Sequence, residues 1–271
     1  MTPAVQEHVH RVLDPDIQNS VSSGLCALGI MTKAPRAGAV KTRLQPPLTA
    51  EEAAALNICF LRDTAAAISQ ACCSGGLRPP NKTRSKTTAR GVAVFTPPGS
   101  EADYGEILPA EFNLLPQRGT NFGDRLTFAT EDLLRVGFES CCLINSDSPT
   151  VTAETFRIAA RSLHANDDRH LVLGPTDDGG YYLIGMKKLH RRVFEEIEWS
   201  TEHVFAQTIE RAREIGLKVT TLPASFDVDD RSTLLHLCEE LLDSDRSSAP
   251  VTKAFLQELL AREGRERIWP R

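Results

Sequence analysis

The stretch that most constrains the fold is a short apolar run, residues 141–144, which ends abruptly in a polar segment closed by Pro149. Four consecutive apolar residues are typical of a strand that is buried on both faces of a sheet. Pro149 holds the preceding residue extended, so the chain does not simply continue into a helix. The sequence therefore predicts a central strand with the carboxylate of Asp147 at its carboxyl end, where open α/β sheets bind ligands.

A carboxylate in that position has two interpretations. It is a hard oxygen ligand, suited to a Mg²⁺ or Mn²⁺ ion that carries phosphate groups. It could equally cap the helix that is predicted to start near Thr152. The rest of the chain bears on the choice.

Other apolar runs alternate with segments of helical periodicity along the chain. Thr49 and Glu52 form the pattern of a capping box at the start of the first long helix. Strands that alternate with helices predict an α/β fold, a doubly wound and mostly parallel sheet with helices on both faces. Besides 141–144, the predicted strands are residues 25–31, 91–96, 112–116, 171–173, 181–186 and 217–222.

The sequence divides into a main domain with appendages. We expect residues 24–243 to form the domain, with residues 1–23 as a loosely attached arm and 244–271 as a linker and a terminal helix. Residues 74–90 are rich in Pro, Gly, Lys and Arg without apolar periodicity, which predicts a flexible basic surface insertion.

Composition excludes several classes of protein. The chain has 271 residues and a net charge of −5, which argues against a general nucleic-acid binder. No apolar run reaches the roughly 18 residues of a membrane span, and the first 23 residues lack the hydrophobic region of a secretory signal. Seven cysteines without a CxxC motif suggest reduced thiols. We therefore expect a cytoplasmic protein of enzyme size.

The loop after the first predicted strand carries four cationic side chains, Lys33, Arg36, Lys41 and Arg43, and also Gly38. It matches neither a Walker A loop nor a dinucleotide fingerprint, because the required glycines are missing. A strand–loop–helix turn with this charge could surround a di- or triphosphate. The alternative is a solvated basic loop.

Six spaced segments together resemble one protein family: TKAPRAGAVKTRL, LPQRGTNFGDRL, INSDSPT, LGPTDDGGYYLIGM, WSTEHVFAQT and SFDVDD. The sequence is identified by them as similar to the DUF2064 family, also called the transferase 1 group associated with radical-SAM/selenodomain proteins. The resemblance spans roughly residues 25–240. It implies the GT-A fold of nucleotide-diphospho-sugar transferases. The KxRL element is also similar to guanylyltransferases that act on 2-phospholactate.

The resemblance implies roles for matching residues. It places the nucleotide phosphates on the loop that contains Lys33, Gly38, Lys41, Thr42 and Arg43. Asp147 corresponds to the metal-binding acid of GT-A enzymes. The resemblance also implies a second-substrate side at Asp178, Gly179, Gly180 and Tyr181, and a further metal carboxylate at Asp229 or, as the less expected partner, Asp227.

These observations predict a Mg²⁺- or Mn²⁺-dependent transferase that uses an NTP or an NDP-sugar and a small-molecule acceptor. Lys41, Arg43 and Asp147 are the expected catalytic residues, because transfer from a nucleotide needs charge neutralisation at the phosphates. The sequence leaves nucleotidyl and glycosyl transfer open, as well as the base, the acceptor and the oligomeric state. The alternative is a catalytically silent nucleotide-binding or scaffold module, which would have no chemical need for the intact acids.

Overall fold

Eight strands form one sheet in the computed structural model, which describes residues 9–18, 20–22, 24–73, 89–243 and 248–268. The strand order is β1-β4-β3-β2-β5-β7-β6-β8. Only the two pairings of β7 are antiparallel within these described ranges, so the predicted mostly parallel sheet is confirmed. The strands are β1 Arg11–Val12, β2 Cys26–Lys33, β3 Ala89–Thr96, β4 Asn113–Pro116, β5 Ser140–Ile144, β6 His170–Pro175, β7 Tyr181–Met186 and β8 Lys218–Thr221.

Helices cover both faces of the sheet, as the alternating pattern predicts. Side chains of α1 and α3 pack with one set of strand residues, whereas those of α2 and α4 pack with the alternate set. This division follows from the two-residue period of a strand, which sends successive side chains to opposite faces. The helices are α1 Ala50–Cys72, α2 Phe122–Arg135, α3 Ala153–Ala165, α4 Val204–Glu214, α5 Arg231–Leu242, α6 Pro250–Glu263 and α7 Arg265–Ile268.

The predicted capping box at the start of α1 is present. Thr49 Oγ1 accepts a hydrogen bond from the backbone N–H of Glu52 at 3.2 Å, and Glu52 Oε2 accepts one from the N–H of Thr49 at 2.9 Å. The box satisfies two backbone donors that the first helical turn otherwise leaves unpaired.

The part of the predicted arm that the structure describes is packed on the sheet, contrary to the expectation of loose attachment. Arg11–Val12 pair with β4 in parallel, and Leu13 is 1% exposed. Backbone hydrogen bonds explain the difference, because Leu13 N donates to Leu114 O at 2.7 Å. In the sequence, the polar residues His10 and Arg11 precede only two apolar residues, Val12 and Leu13, which is too short a pattern to predict a strand.

The predicted insertion lies mostly outside the described residues, since 74–88 are not among them. Its last two residues, Ala89 and Arg90, begin β3, so the strand starts earlier than the composition suggested. None of the described helices is long and apolar enough to cross a membrane.

A second layer of helices covers the N-terminal half of α1. Residues of α5, α6 and α7 form an apolar cluster with α1 that includes Phe60, Leu237 and Leu256. An ion-pair network, here called the Glu52 cluster, joins α6 and α7 to α1. Arg267 Nη2 lies 2.5 Å from Glu52 Oε2, Arg262 Nη2 lies 3.3 Å from Glu52 Oε1, and Glu263 contacts both arginines. Glu52 thus fastens the C-terminal helices to the start of α1.

Candidate functional site

Two loops meet at the carboxyl ends of the central strands. One follows β5 and contains Asp147, and the other follows β8 and contains Asp227 and Asp229. The backbone N–H of Val228 donates to the carbonyl oxygen of Asp147 at 2.9 Å, which fixes the loops side by side. Three acids from distant parts of the sequence are therefore gathered at one edge of the sheet.

The buried ammonium group of Lys41 bridges two of these acids. Its Nζ lies 2.5 Å from Asp147 Oδ1 and 3.0 Å from Asp229 Oδ1, and it also donates to Val228 O at 2.7 Å. The Lys41 side chain is 5% exposed, whereas those of Asp147 and Asp229 are 30% and 49% exposed. We call Asp147 and Asp229 the acid pair.

The backbone of Lys41 has an unusual conformation. Its φ of 49° and ψ of 37° are left-handed, a conformation that side-chain-bearing residues rarely adopt. Its ammonium group also lies 5.5 Å from the centroid of the Phe60 ring. Strained backbone persists where the surroundings enforce it, and it clusters at functional sites.

The pKa of Lys41 is raised above its ordinary value. Burial by itself lowers that pKa, but the charges of Asp147 and Asp229 and their hydrogen bonds outweigh it. Lys41 is therefore a permanent cation at the centre of the acid pair.

Asp227 differs from the acid pair. Its Oδ1 accepts hydrogen bonds from Ser148 Oγ at 2.6 Å and from Asn145 Nδ2 at 2.7 Å. Burial raises its pKa to about 6, and the charges of Asp147 and Asp229 add to the rise, while the two hydrogen bonds oppose it. Asp227 thus fastens the two loops together.

A basic cavity of about 370 Å³ opens on one side of the acid pair. Lys33, Lys41, Thr42 and Arg43 of the predicted phosphate loop line it. Arg36 instead forms an ion pair with Asp103 at 2.8 Å. Gly38 has a φ of 73° and no atoms near the position of a side chain, so it is needed for the turn.

An aromatic cavity of about 540 Å³ opens on the other side. Asp178, Gly180 and Tyr181 line it, together with Phe122 and Trp199. The two cavities meet, since both are lined by Arg43, Ser146, Asp147, Ser200 and Asp229. The acid pair therefore stands between a cationic space and an aromatic one.

The turn between β6 and β7 is held by its own residues. Asp178 Oδ1 accepts hydrogen bonds from Thr176 Oγ1 at 2.6 Å and from Gly180 N at 3.0 Å. Gly179 has a φ of 85°, and a side chain there would collide with the backbone of Glu202. Close packing on the loop before α4 accounts for Gly179, which does not line either cavity.

Tyr181 and Tyr182 lie on opposite faces of the sheet, as their adjacent positions in a strand require. The Tyr182 hydroxyl donates to Pro223 O at 2.9 Å, and its ring fills the space beside Gly174. Tyr181 is on the other face, partly buried beside the aromatic cavity. Burial raises the pKa of its hydroxyl well above the ordinary value.

Sequence reasoning missed the aromatic wall of the site. The rings of Phe122 and Trp199 meet edge to face, with centroids 5.0 Å apart and planes at 75°. A Cβ atom at Gly123 would lie 2.9 Å from Trp199 Nε1, so the indole packs directly against the backbone of α2. The signal available in the sequence was Phe122 followed by Gly123 at the start of a predicted helix. This pattern does not identify Trp199 as the partner of Phe122.

The donor set fits a divalent ion that is shared with a ligand. Among the described residues, no three His, Cys, Asp or Glu side chains are grouped as a ready-made metal site. Yet the acid pair already holds one cation, the Lys41 ammonium, between two carboxylate oxygens. Mg²⁺ commonly takes one or two carboxylates and completes its shell with water and substrate phosphates.

Comparison with known proteins agrees with this fold. The model of the family described as "Uncharacterized protein conserved in bacteria (DUF2064)" matches residues 81–201, so the resemblance to that family is confirmed. No curated protein matches the sequence.

Among solved structures, a proposed nucleotide-diphospho-sugar transferase from Desulfovibrio desulfuricans G20 is 28% identical, with a TM-score of 0.73. The match covers 90% of this chain and 99% of that one. CMP:2-keto-3-deoxy-manno-octonic acid synthetase complexed with CTP is 9% identical with a TM-score of 0.46, over 81% of this chain and 99% of that one. Rv0371c of Mycobacterium tuberculosis H37Rv, complexed with manganese, is 16% identical with a TM-score of 0.45. That match covers 80% of this chain and 100% of Rv0371c. The chain thus has the fold of the Desulfovibrio protein along nearly the whole length of that protein.

Proposed function

We propose that this protein is a transferase that takes a glycosyl or nucleotidyl group from an NDP-sugar or an NTP and passes it to a small-molecule acceptor, with Mg²⁺ or Mn²⁺ as the cofactor. The observation that carries the proposal is the position of the acid pair. Asp147 and Asp229 stand where a cationic cavity and an aromatic cavity meet, so a donor and an acceptor bound on the two sides would meet beside them.

The basic cavity supplies the groups for the donor. Lys33 and Arg43 offer cationic donors to phosphate oxygens, and Thr42 offers a hydroxyl group. Asp147 and Asp229 would hold the divalent ion, with Asp227 as a support behind them. When bound, such an ion neutralises charge on the phosphates and thereby stabilises the leaving group.

Lys41 has two tasks in this proposal. In the structure as described, its ammonium group separates two carboxylates that would otherwise repel each other. The ammonium group also lines the basic cavity, where a phosphate oxygen of the donor would contact it. Lys41 therefore keeps the acid pair assembled and then contributes to charge stabilisation.

We also propose that the protein works in the cytoplasm. Its seven cysteines are free thiols, and five of them are buried. Thiols that remain unpaired at this number suit a reducing compartment.

The test is a titration with nucleotides, because ligand binding raises apparent stability by mass action. NTPs and NDP-sugars are screened by thermal shift with and without Mg²⁺, and hits are measured by calorimetry. Asp147→Asn keeps the size of the side chain but removes its charge, so metal-dependent binding and turnover should collapse. The matched control is Asp168→Asn, which changes an exposed acid paired only loosely with Lys188 at 3.9 Å.

The control separates a site effect from a general change of charge. Asp168→Asn should bind and turn over like wild type. If Asp147→Asn also keeps wild-type affinity for the metal–nucleotide complex and wild-type turnover, the proposed metal site is wrong.

A further inference from the structure

We infer that the acceptor is an uncharged carbohydrate or glycoside, which binds in the aromatic cavity with one apolar face on Trp199. The inference rests on the proposed function, because it names the substrate class of the second cavity. It concerns residues that the sequence analysis did not assign to the site, Trp199 and Phe122, and a property that the family resemblance leaves open, the charge of the acceptor.

The aromatic wall is preformed. Trp199 is half-buried, seats on the side-chain-free surface of Gly123 and meets the edge of Phe122. Phe122 remains 50% exposed although it is a large apolar residue. A sugar ring has an apolar face of C–H groups and a rim of hydroxyl groups, so it can cover an aromatic ring while it keeps its polar contacts.

The charges around the aromatic cavity disfavour an anionic acceptor. Asp178 and Glu202 line this cavity in addition to the acids at the sheet edge, and Arg43 is its one cationic lining residue in the described part of the chain. Arg43 also lines the basic cavity, where a donor phosphate would engage it. A phosphate or carboxylate group on the acceptor would therefore face like charges, which costs affinity.

Asp178 is placed to bind a hydroxyl group. Its Oδ1 is held by Thr176 Oγ1 and Gly180 N, which fixes the carboxyl group in one orientation. No described residue forms a hydrogen bond with Oδ2, so that oxygen can accept one from the acceptor. Carboxylates accept hydrogen bonds only, which suits a hydroxyl donor.

The transfer step moves one group from the donor to the acceptor hydroxyl. The acceptor oxygen forms a bond to the transferred carbon or phosphorus atom of the donor. The bond from that atom to the leaving phosphate oxygen breaks, and its electron pair leaves with the NDP or pyrophosphate. The proton of the acceptor hydroxyl passes to Asp178 and from there to solvent.

The experiment uses Trp199 as its own reporter. The chain has two tryptophans, so Trp269→Phe leaves Trp199 as the sole indole of the full chain. Three neutral sugars (methyl α-glucopyranoside, methyl β-galactopyranoside and N-acetylglucosamine) and glucose 6-phosphate are titrated, each with and without Mg²⁺–nucleotide. At least one neutral sugar should change the emission of Trp199, and glucose 6-phosphate should bind at least about tenfold more weakly. The inference is overturned if no neutral sugar changes the emission, or if glucose 6-phosphate binds as well as the best neutral sugar.

Three variants test the recognition, and calorimetry replaces fluorescence for the two at Trp199. Trp199→Leu should abolish sugar binding while Trp199→Phe retains part of it, because only Phe keeps an aromatic face. Asp178→Asn should reduce the preference for neutral sugars over glucose 6-phosphate. An unchanged preference, or equal binding by both Trp199 variants, also counts against the inference.

Failure of the proposed function gives a different result. If sugars bind but no nucleotide binds with metal, the transferase proposal falls and the sugar site stands. If nucleotides bind with metal and sugars do not, only the acceptor assignment falls.

Discussion

Two clusters of ion pairs in this protein differ in the sign of the charge that is buried. At the functional site, the buried group is the cation, since Lys41 is 5% exposed while Asp147 and Asp229 are 30% and 49% exposed. In the Glu52 cluster, the buried group is the acid, since Glu52 is 10% exposed while Arg262 and Arg267 are 55% and 31% exposed. Each cluster contains a contact between residues far apart in sequence, Lys41 with Asp229 across 188 positions and Glu52 with Arg262 across 210.

The difference shows which groups can still bind a further partner. A buried ion is costly unless it is fully paired, so its bonding capacity is used inside the protein. The exposed partners can still form further hydrogen bonds or ion pairs. At the site these are carboxylates that face two cavities, and they can accept a cation. In the Glu52 cluster they are guanidinium groups that face solvent, and the cluster serves stability.

The largest expected effect comes from removing the buried cation at the site. Lys41→Met should lower turnover by about 10²–10³, the usual loss when one preorganised charge-stabilising donor is removed. The same variant should bind Mn²⁺ about tenfold more tightly in the absence of nucleotide, because the acid pair loses its internal counter-ion. Steady-state kinetics and a Mn²⁺ titration followed by electron paramagnetic resonance measure the two effects. Weaker Mn²⁺ binding would show that Lys41 does not compete for the acid pair.

Removing the buried acid of the other cluster should affect stability and spare the chemistry. Glu52→Ala loses half of the capping box and the ion pairs to Arg262 and Arg267, and should lower the free energy of unfolding by about 2 kcal/mol. That corresponds to a fall in Tm of roughly 4–8 °C for a domain of this size. Calorimetric melting measures it.

The neighbouring Glu51 supplies the control, because it is exposed on the same helical turn. Glu51→Ala should melt within about 2 °C of wild type, since surface changes usually stay within ±0.5 kcal/mol. Turnover per folded molecule should be unchanged in both variants. A loss of turnover in Glu52→Ala alone would mean that the two clusters are coupled.

Acid should weaken the Glu52 cluster selectively. Burial raises the pKa of Glu52, but hydrogen bonds from Arg267 and the Thr49 N–H, with the Arg267 charge, lower it more, so the net value is below the ordinary 4.5. A depressed pKa stabilises the folded state above pH 4.5, and this contribution is lost as the pH falls through the folded value. The stability difference between wild type and Glu52→Gln should therefore shrink progressively below about pH 4.5. A constant difference in denaturant titrations from pH 7 to pH 3 would contradict this origin.

The smallest effect is expected from the exposed cations. Arg262→Ala should cost little stability, because exposed ion pairs are weak and screened by salt. Arg267→Ala should cost more, because its guanidinium group is less exposed and reaches both Glu52 and the carbonyl of Pro47 at 3.1 Å. Urea titrations at low and high salt compare the stability losses of the two variants. An equal loss in both, or a larger loss in Arg262→Ala, would contradict this prediction.

Local patterns in the sequence predicted much of the fold and part of the site. Runs of apolar residues located the core strands, and the spacing of Thr49 and Glu52 located the start of α1. The position of Asp147 after a buried strand followed from the same reasoning. These features depend on neighbours a few residues apart.

Features that depend on distant partners could not be predicted. Lys41 was expected to face phosphates, and its contact with Asp229, 188 residues away, has no local signal. Trp199 was not assigned to the site, because its place on the wall depends on the absence of a side chain at Gly123. The edge strand β1 has only two residues, too few for any periodicity.

That edge strand has a consequence for self-association. An unpaired strand edge is a template for pairing with another molecule. Residues 11–12 cover the outer edge of β4, and His10 anchors them, its ring nitrogens lying 3.2 and 3.3 Å from the carbonyl oxygens of Phe112 and Tyr104. A chain shortened to begin at Gly24 would keep every residue of the site and yet expose β4 to its neighbours, so we expect it to self-associate in light-scattering measurements.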